Sequence, residues 1–365
     1  MDKKIATIQV IIVAVVFFGL SFAAWFKPAD EFSLTERRQL EQFPEFNTAT
    51  VFDGKFMEEF EEYAVDQFPL RDGFRGLKAM THFYVFAQSD NNGIYKVDGY
   101  ISQIDYPRSA KAQEAAVQKF HSVYEKYIRG TDAEVYHAII PDKNFYLAEA
   151  NGYPSYDYKE TFAYYREQLP YMTHIDLTGT LSQEDFYRTD THWRQECITD
   201  VAGVLAETMG VSLAAEYEAV TLPVPFYGVY YGQLALPGEP DAITYLQNPL
   251  FDDCTIINHE TGKEIPMYDM EKAAGKDPYE MFLSGSLSVI TIENPNATTD
   301  RELVIFRDSF GSSLAPLLVE PYAKITILDI RYLNETMIGR FVEFDNQDVL
   351  FLHSTFVLNN ETAFR

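Results

Sequence analysis

The sequence predicts an α/β fold: a parallel sheet flanked by helices, carrying an irregular β-containing insertion and preceded by a transmembrane helix. Three observations lead there. Apolar, β-rich runs at Glu134–Ile140, Met172–Asp176, Glu302–Phe306, Lys324–Ile330 and Asp348–Ser354 read as strands buried on both faces. Amphipathic stretches of helical period lie among these runs, which is the arrangement that builds parallel sheets. At the start of the chain, Ile5–Phe26 carries no charged residue, and roughly 20 such residues cross a bilayer core.

Residues 1–26 are therefore expected to be a membrane anchor. Lys3 and Lys4 on its N-terminal flank keep that end inside and put everything after Lys27 outside. Ser21-Phe22-Ala23 resembles a cleavage site, so a signal peptide is the alternative. Either way the bulk of the chain is expected to be extracytoplasmic: single-pass if the segment stays, secreted if it is cleaved. Residues 27–107 read as a stalk and the N-terminal part of the outer domain. A short helix is expected at Ser33–Gln42. Lys55–Gln67 has apolar residues at helical spacing and stops at Pro69; Asp72 can cap the next helix, Gly73–Phe86. Asn92-Gly93 and Asp98-Gly99 bracket a hairpin at Gly93–Ile101.

The α/β domain proper spans residues 108–365. Ser109–Arg129 predicts a long helix ended by Gly130. Helices follow near Tyr158–Gln168 and at Arg194–Met209. Residues 211–300 are rich in turns and prolines and read as the insertion, after which the strand and helix pattern resumes.

Composition excludes several functions. With 55 acidic against 29 basic residues the net charge is −26, so no nucleic acid partner is expected, because phosphates would find nothing to neutralise them. Cys197 and Cys254 form no framework; one bridge or two buried thiols are both open. His82, His121, His137, His174 and His259 show no metal-ligand spacing, and no glycine-rich phosphate loop is present, so neither metal nor cofactor is expected. His353, inside an apolar strand, reads as a satisfied core histidine. Arg71 reads as an ion-pair partner of Asp66 or Asp72.

Chemistry is expected at the carboxyl ends of the strands, where open α/β sheets place their sites. Ser309 follows Glu302–Phe306 in a tight turn before a helix. Such a turn exposes the hydroxyl and leaves amides free to hold an oxyanion. A serine needs a base oriented by a carboxylate, and Asp190-Thr191-His192 offers both on one loop, with the two side chains on the same side of an extended stretch. Trp193, Tyr230 and Tyr231 are candidates to stack on a sugar ring, with packing as the competing reading. Lys143, past a strand end, is a candidate to reach the site, or else a solvated loop lysine.

Asp190-Thr-His-Trp193 followed by Arg307-Asp-Ser-Phe-Gly311 resembles the bacterial DHHW proteins and the related alginate O-acetyltransferases of the SGNH-hydrolase superfamily. The likeness extends over nearly everything after the anchor. Glu36-Arg-Arg38 with Phe43-Pro44, Asp66-Gln-Phe-Pro-Leu-Arg-Asp72, Pro141-Asp-Lys143, Asp277-Pro-Tyr-Glu-Met-Phe282 and Asp329-Ile-Arg-Tyr332 are similar to family signatures in the family's order. The Asp/His block precedes the Ser block, the permuted order of the alginate enzymes.

The resemblance implies an SGNH-like fold with Ser309 as nucleophile, His192 as base and Asp190 as its partner. It also implies oxyanion helpers at Arg331 and at Ser354 and Thr355. Two departures stand out: Arg307 replaces the glycine before Asp-Ser, and no Gly-x-Asn-Asp follows the later strand. The implied activity is O-acyl, chiefly O-acetyl, transfer to a cell-surface or cell-wall polysaccharide. The implied donor partner is a multi-span membrane acyltransferase. A carbohydrate or lipid esterase is the alternative in the same chemistry, and a catalytically silent glycan-binding or scaffold subunit is the alternative outside it.

Overall fold

The structure, a computed structural model, describes residues 3–364. The chain divides into two compact units, one of Met1–Asn92 with Tyr231–Gly238, the other of Gly93–Tyr230 with Glu239–Arg365.

In the first unit a 24-residue helix, Lys3–Phe26, buries none of its side chains. It is long and apolar enough to cross a membrane. Beyond it, the helix expected at Ser33–Gln42 is instead a two-residue antiparallel ladder, Phe32–Ser33 with Arg38–Gln39. The charges there have partners that a helix would not give them. Arg38 bonds Asp66 at 2.7 Å, while Glu36 pairs with Arg71 and, at 3.2 Å, with Arg75. Arg71 also reaches Asp66 at 3.3 Å, so it is an ion-pair residue as expected. Helices Lys55–Asp66 and Arg71–Met80 carry these partners.

The second unit is built on one eight-stranded sheet. In chain order its strands are β1 (Glu134–Ile140), β2 (Thr173–Ile175), β3 (Thr255–Asn258), β4 (Lys263–Glu264), β5 (Val289–Glu293), β6 (Glu302–Arg307), β7 (Lys324–Leu328) and β8 (Asp348–Ser354). Their spatial order is β4-β3-β5-β7-β6-β8-β1-β2. The five expected strands pair in parallel from β7 to β2. The other three pair antiparallel beyond β7. Part of the stretch read as an insertion therefore continues the main sheet. Its runs are short and turn-bounded, but Ile256, Ile290 and Ile292 enter the core.

Alternation explains why the sheet is covered twice. Side chains two apart share a face. Ala138, Ile140, Leu303, Ile305, Leu350 and Leu352 pack on one side with Val201, Ala202 and Leu205 of helix Thr199–Thr208. Val135, Ile139, Val304, Phe306, Val349 and Phe351 pack on the other with Ala116, Phe120 and Val123 of helix Ala110–Val123. Each fully buried aliphatic or aromatic side chain contributes about 1.5–3 kcal/mol, which is why these runs are predominantly apolar.

The hairpin strands Ile94–Val97 and Tyr100–Gln103, taken with the stalk in the sequence, belong to this unit. Cys197 and Cys254 are free, and burial pushes both thiols up to about 11. His353 lies in the core against Phe120, but neither ring nitrogen has a hydrogen-bond partner among the described residues. It is a core histidine without being a satisfied one, and burial lowers it to about 4.

Candidate active site

Ser309 sits immediately beyond β6, at the start of the short helix Phe310–Leu314. The turn is held from both sides. Asp308 accepts the Phe310 amide at 3.1 Å, and its other oxygen accepts the amide and hydroxyl of Ser354 at 2.7 and 2.8 Å. The serine turn is thus tied to the end of β8. Gly311 is required by contact: a Cβ there would lie 2.7 Å from the Cβ of Arg307.

His192 and Asp190 lie on a loop closed by a bridge between Phe186 and Trp193. Asp190 is buried, and one of its oxygens stands 2.6 Å from His192 Nδ1. The same oxygen accepts the His192 amide at 3.1 Å; the other accepts the Val229 amide at 2.8 Å. A carboxylate can only accept, so the ring proton belongs on Nδ1 and Nε2 is left as an acceptor. Ser309 Oγ lies 2.7 Å from that Nε2. The three residues are joined in the order carboxylate, imidazole, hydroxyl, although Ser309 is far from the other two in the chain.

This fold occurs in known proteins. A DHHW family protein from Eubacterium siraeum is 21% identical with a TM-score of 0.59, over 75% of this chain and 94% of that one. Bacillus cereus PatB1 is 20% identical with a TM-score of 0.60, over 75% of this chain and 100% of that one. PatB1 with a sulfonyl adduct gives 18% and 0.57, over 74% and 98%. The chain has the DHHW fold. No family model and no curated protein matches it.

Several residues around the loop of Asp190 and His192 were not assigned from the sequence. The ring of Tyr279 stacks on His192 at 3.8 Å and 11°. Its hydroxyl meets Ser313 Oγ at 2.9 Å, and Ser313 also accepts the Trp193 indole N–H at 2.9 Å. Tyr279 lies in Asp277-Pro-Tyr-Glu-Met-Phe282, so the motif was visible but its contact was not. Gly228 is a second case: a Cβ there would lie 2.4 Å from Asp190 Cβ and from the Asp190 nitrogen. Only glycine lets that backbone cover the Asp190 carboxylate. Asp241 is a third, accepting the Arg188 and Thr189 amides and the Thr189 hydroxyl at 3.0, 2.7 and 2.6 Å.

Other expected residues have different tasks. Trp193 is fully buried, its indole N–H spent inside the protein, so it packs and presents no face to a sugar. Tyr230 is likewise buried, its hydroxyl on Thr191 at 3.1 Å. Tyr231 falls in the other unit.

Lys143 is neither solvated nor turned towards a substrate. Its buried ammonium donates to the carbonyls of Tyr187, Arg188 and Asp190 at 2.8, 3.3 and 2.6 Å, one for each N–H. Burial pulls it from 10.5 to about 7, against the attraction of Asp190 and Asp241. Ser354 and Thr355 are buried and used elsewhere, Ser354 on Asp308 and Thr355 on Asp142 at 2.6 Å, so neither offers a free hydroxyl to an oxyanion. Arg331 grips Asp329 through Nε at 2.9 Å and Nη2 at 2.6 Å. Asp329 also faces Arg307 at 3.9 Å, which explains how a guanidinium can replace the expected glycine: its charge is buried beside a carboxylate.

Proposed function

We propose that this chain is a membrane-tethered, extracytoplasmic O-acyl transferase, using an acyl-serine intermediate to move an acetyl group onto a cell-surface or cell-wall polysaccharide. The observation that carries the reading is the continuous hydrogen-bonded line from Asp190 through His192 to Ser309.

In this reading His192 Nε2 takes the Ser309 proton as Oγ attacks the acyl carbonyl, and Asp190 stabilises the imidazolium. The Ser309 amide receives the oxyanion. His192 then returns the proton to the leaving group. A sugar hydroxyl repeats the sequence in reverse, giving its proton to His192 as it attacks the acyl-serine. Bringing the donor from a multi-span membrane acyltransferase fits a chain whose first helix can enter the same bilayer.

The test uses the full-length chain in detergent with an aryl acetate, with and without oligosaccharide acceptors. Acetylated sugar formed at the expense of acetate supports transfer. Acetate alone, whatever the acceptor, supports the esterase reading. A sulfonyl adduct is known for PatB1, so a sulfonyl fluoride is a suitable probe of Ser309.

A further inference from the structure

The second unit contains a cavity of about 760 Å³ that includes none of the triad residues. That is within the range of small-ligand sites, roughly 300–1,000 Å³. Four carboxylates line it: Glu216, Glu218, Asp252 and Glu264. Among the described residues none of the four forms an ion pair, and no lysine, arginine or histidine lines the cavity.

Its apolar wall is aromatic. Tyr217 and Phe251 are near-parallel, 6.2 Å apart and inclined by 30°, and Phe251 meets Tyr268 edge to face. Tyr268 is fixed from behind, its hydroxyl donating to the Leu246 carbonyl at 2.6 Å with Gln195 Oε1 3.2 Å away. The wall is therefore formed before any ligand arrives, which lowers the ordering cost of binding.

These features select a ligand. Unpaired acidic groups repel anions and attract cations, and the chain's net charge of −26 adds to that field. A bare metal ion is a poor match, because no group of three or more His, Cys, Asp or Glu side chains among the described residues is placed to hold one. Aromatic faces instead favour an organic cation, which gains from the ring quadrupole, and an apolar ring face that packs flat against them. A pyranose bearing a protonated amine supplies both.

We infer that this cavity is a second binding site, for an oligosaccharide carrying free amino groups, with the carboxylates taking the ammonium groups and Tyr217 and Phe251 the sugar faces. It goes beyond acyl transfer and does not depend on it, since it shares no residue with the triad.

The test is calorimetric titration of the full-length chain in neutral detergent at about pH 6, where amino sugars are protonated. The probes are a glucosamine tetramer, its fully N-acetylated counterpart and a simple diamine. The glucosamine tetramer is expected to bind at least tenfold more tightly than either of the others. Glu218→Gln with Glu264→Gln, and separately Tyr217→Ala, are each expected to weaken it at least tenfold while aryl acetate hydrolysis persists. Ser309→Ala is expected to leave binding unchanged even if acyl transfer fails as a reading. Equal binding of the N-acetylated tetramer would remove the charge selection. Equal binding of the diamine would remove the sugar. No binding, or binding indifferent to the cavity variants, would overturn the site.

Discussion

Tyr279 lies face to face with His192, 3.8 Å between ring centres and 11° from parallel. Asp190 holds one edge of the imidazole and Tyr279 one face, so the ring points Nε2 at Ser309 with little freedom to swing. Removing the stacking face should therefore cost turnover. Tyr279→Phe keeps the stack and loses only the bond to Ser313, about 1 kcal/mol of stability. Tyr279→Ala should cost about 3–5 kcal/mol as a buried aromatic deletion, and kcat should fall much further than in the Phe variant. Thermal unfolding and aryl acetate kinetics of both variants decide; equal kcat in the two would remove the positioning role.

Asp190→Asn should preserve the fold and lose most of the activity. The amide can donate to Nδ1, which favours the tautomer with its proton on Nε2 and takes away the acceptor that Ser309 needs. A drop in kcat on the order of 10³–10⁴-fold is expected. The measurement is the rate of the variant at saturating substrate beside its unfolding midpoint. A loss below tenfold would mean that Asp190 neither orients nor stabilises the ring.

Gly228→Ala introduces a methyl group 2.4 Å from Asp190 Cβ, in backbone surroundings that cannot yield as a side-chain tip would. The loop carrying Asp190 must shift, and a displacement of about 1 Å in a catalytic group can cost on the order of 10²-fold. The variant should fold with reduced stability and lose turnover while substrate binding changes little. Unchanged kcat would show that the loop adapts.

Lys143 gives a prediction in pH. Its amine sits near 7 in the fold because burial disfavours the charge, against 10.5 ordinarily. Between those values the unfolded chain holds a proton that the folded one has released, so stability rises with pH across that window, by at most about 1.4 kcal/mol per unit. Below 7 both states are charged and the slope vanishes. Lys143→Met should lose that slope, and should lower activity because three loop carbonyls lose their donor. Unfolding free energies of the two proteins from pH 6 to 10 make the comparison; parallel curves would contradict it.

The five parallel strands were legible because each is a continuous apolar run, and so were Asp190, His192 and Ser309, because a triad needs those residue types at strand and loop ends. The antiparallel extension was not, since Thr255–Asn258 and Lys263–Glu264 are too short for a period to emerge. Both readings of Lys143 failed, and for Trp193 the packing reading is the one the structure has, for a common reason. Sequence shows residue type and neighbourhood, whereas a lysine or tryptophan changes function when the fold closes over it. Nothing local in Gly228 signals that the backbone of Asp190 passes beneath it.

The most direct measurement is the pre-steady-state reaction of the full-length chain with an aryl acetate, in the wild type, Ser309→Ala and His192→Ala. A burst of one phenolate per chain is expected in the wild type, with the acetyl group recovered on Ser309. Neither variant is expected to show a burst, at an unchanged unfolding midpoint. A burst that survives Ser309→Ala, or an acetyl group found on another residue, would contradict it.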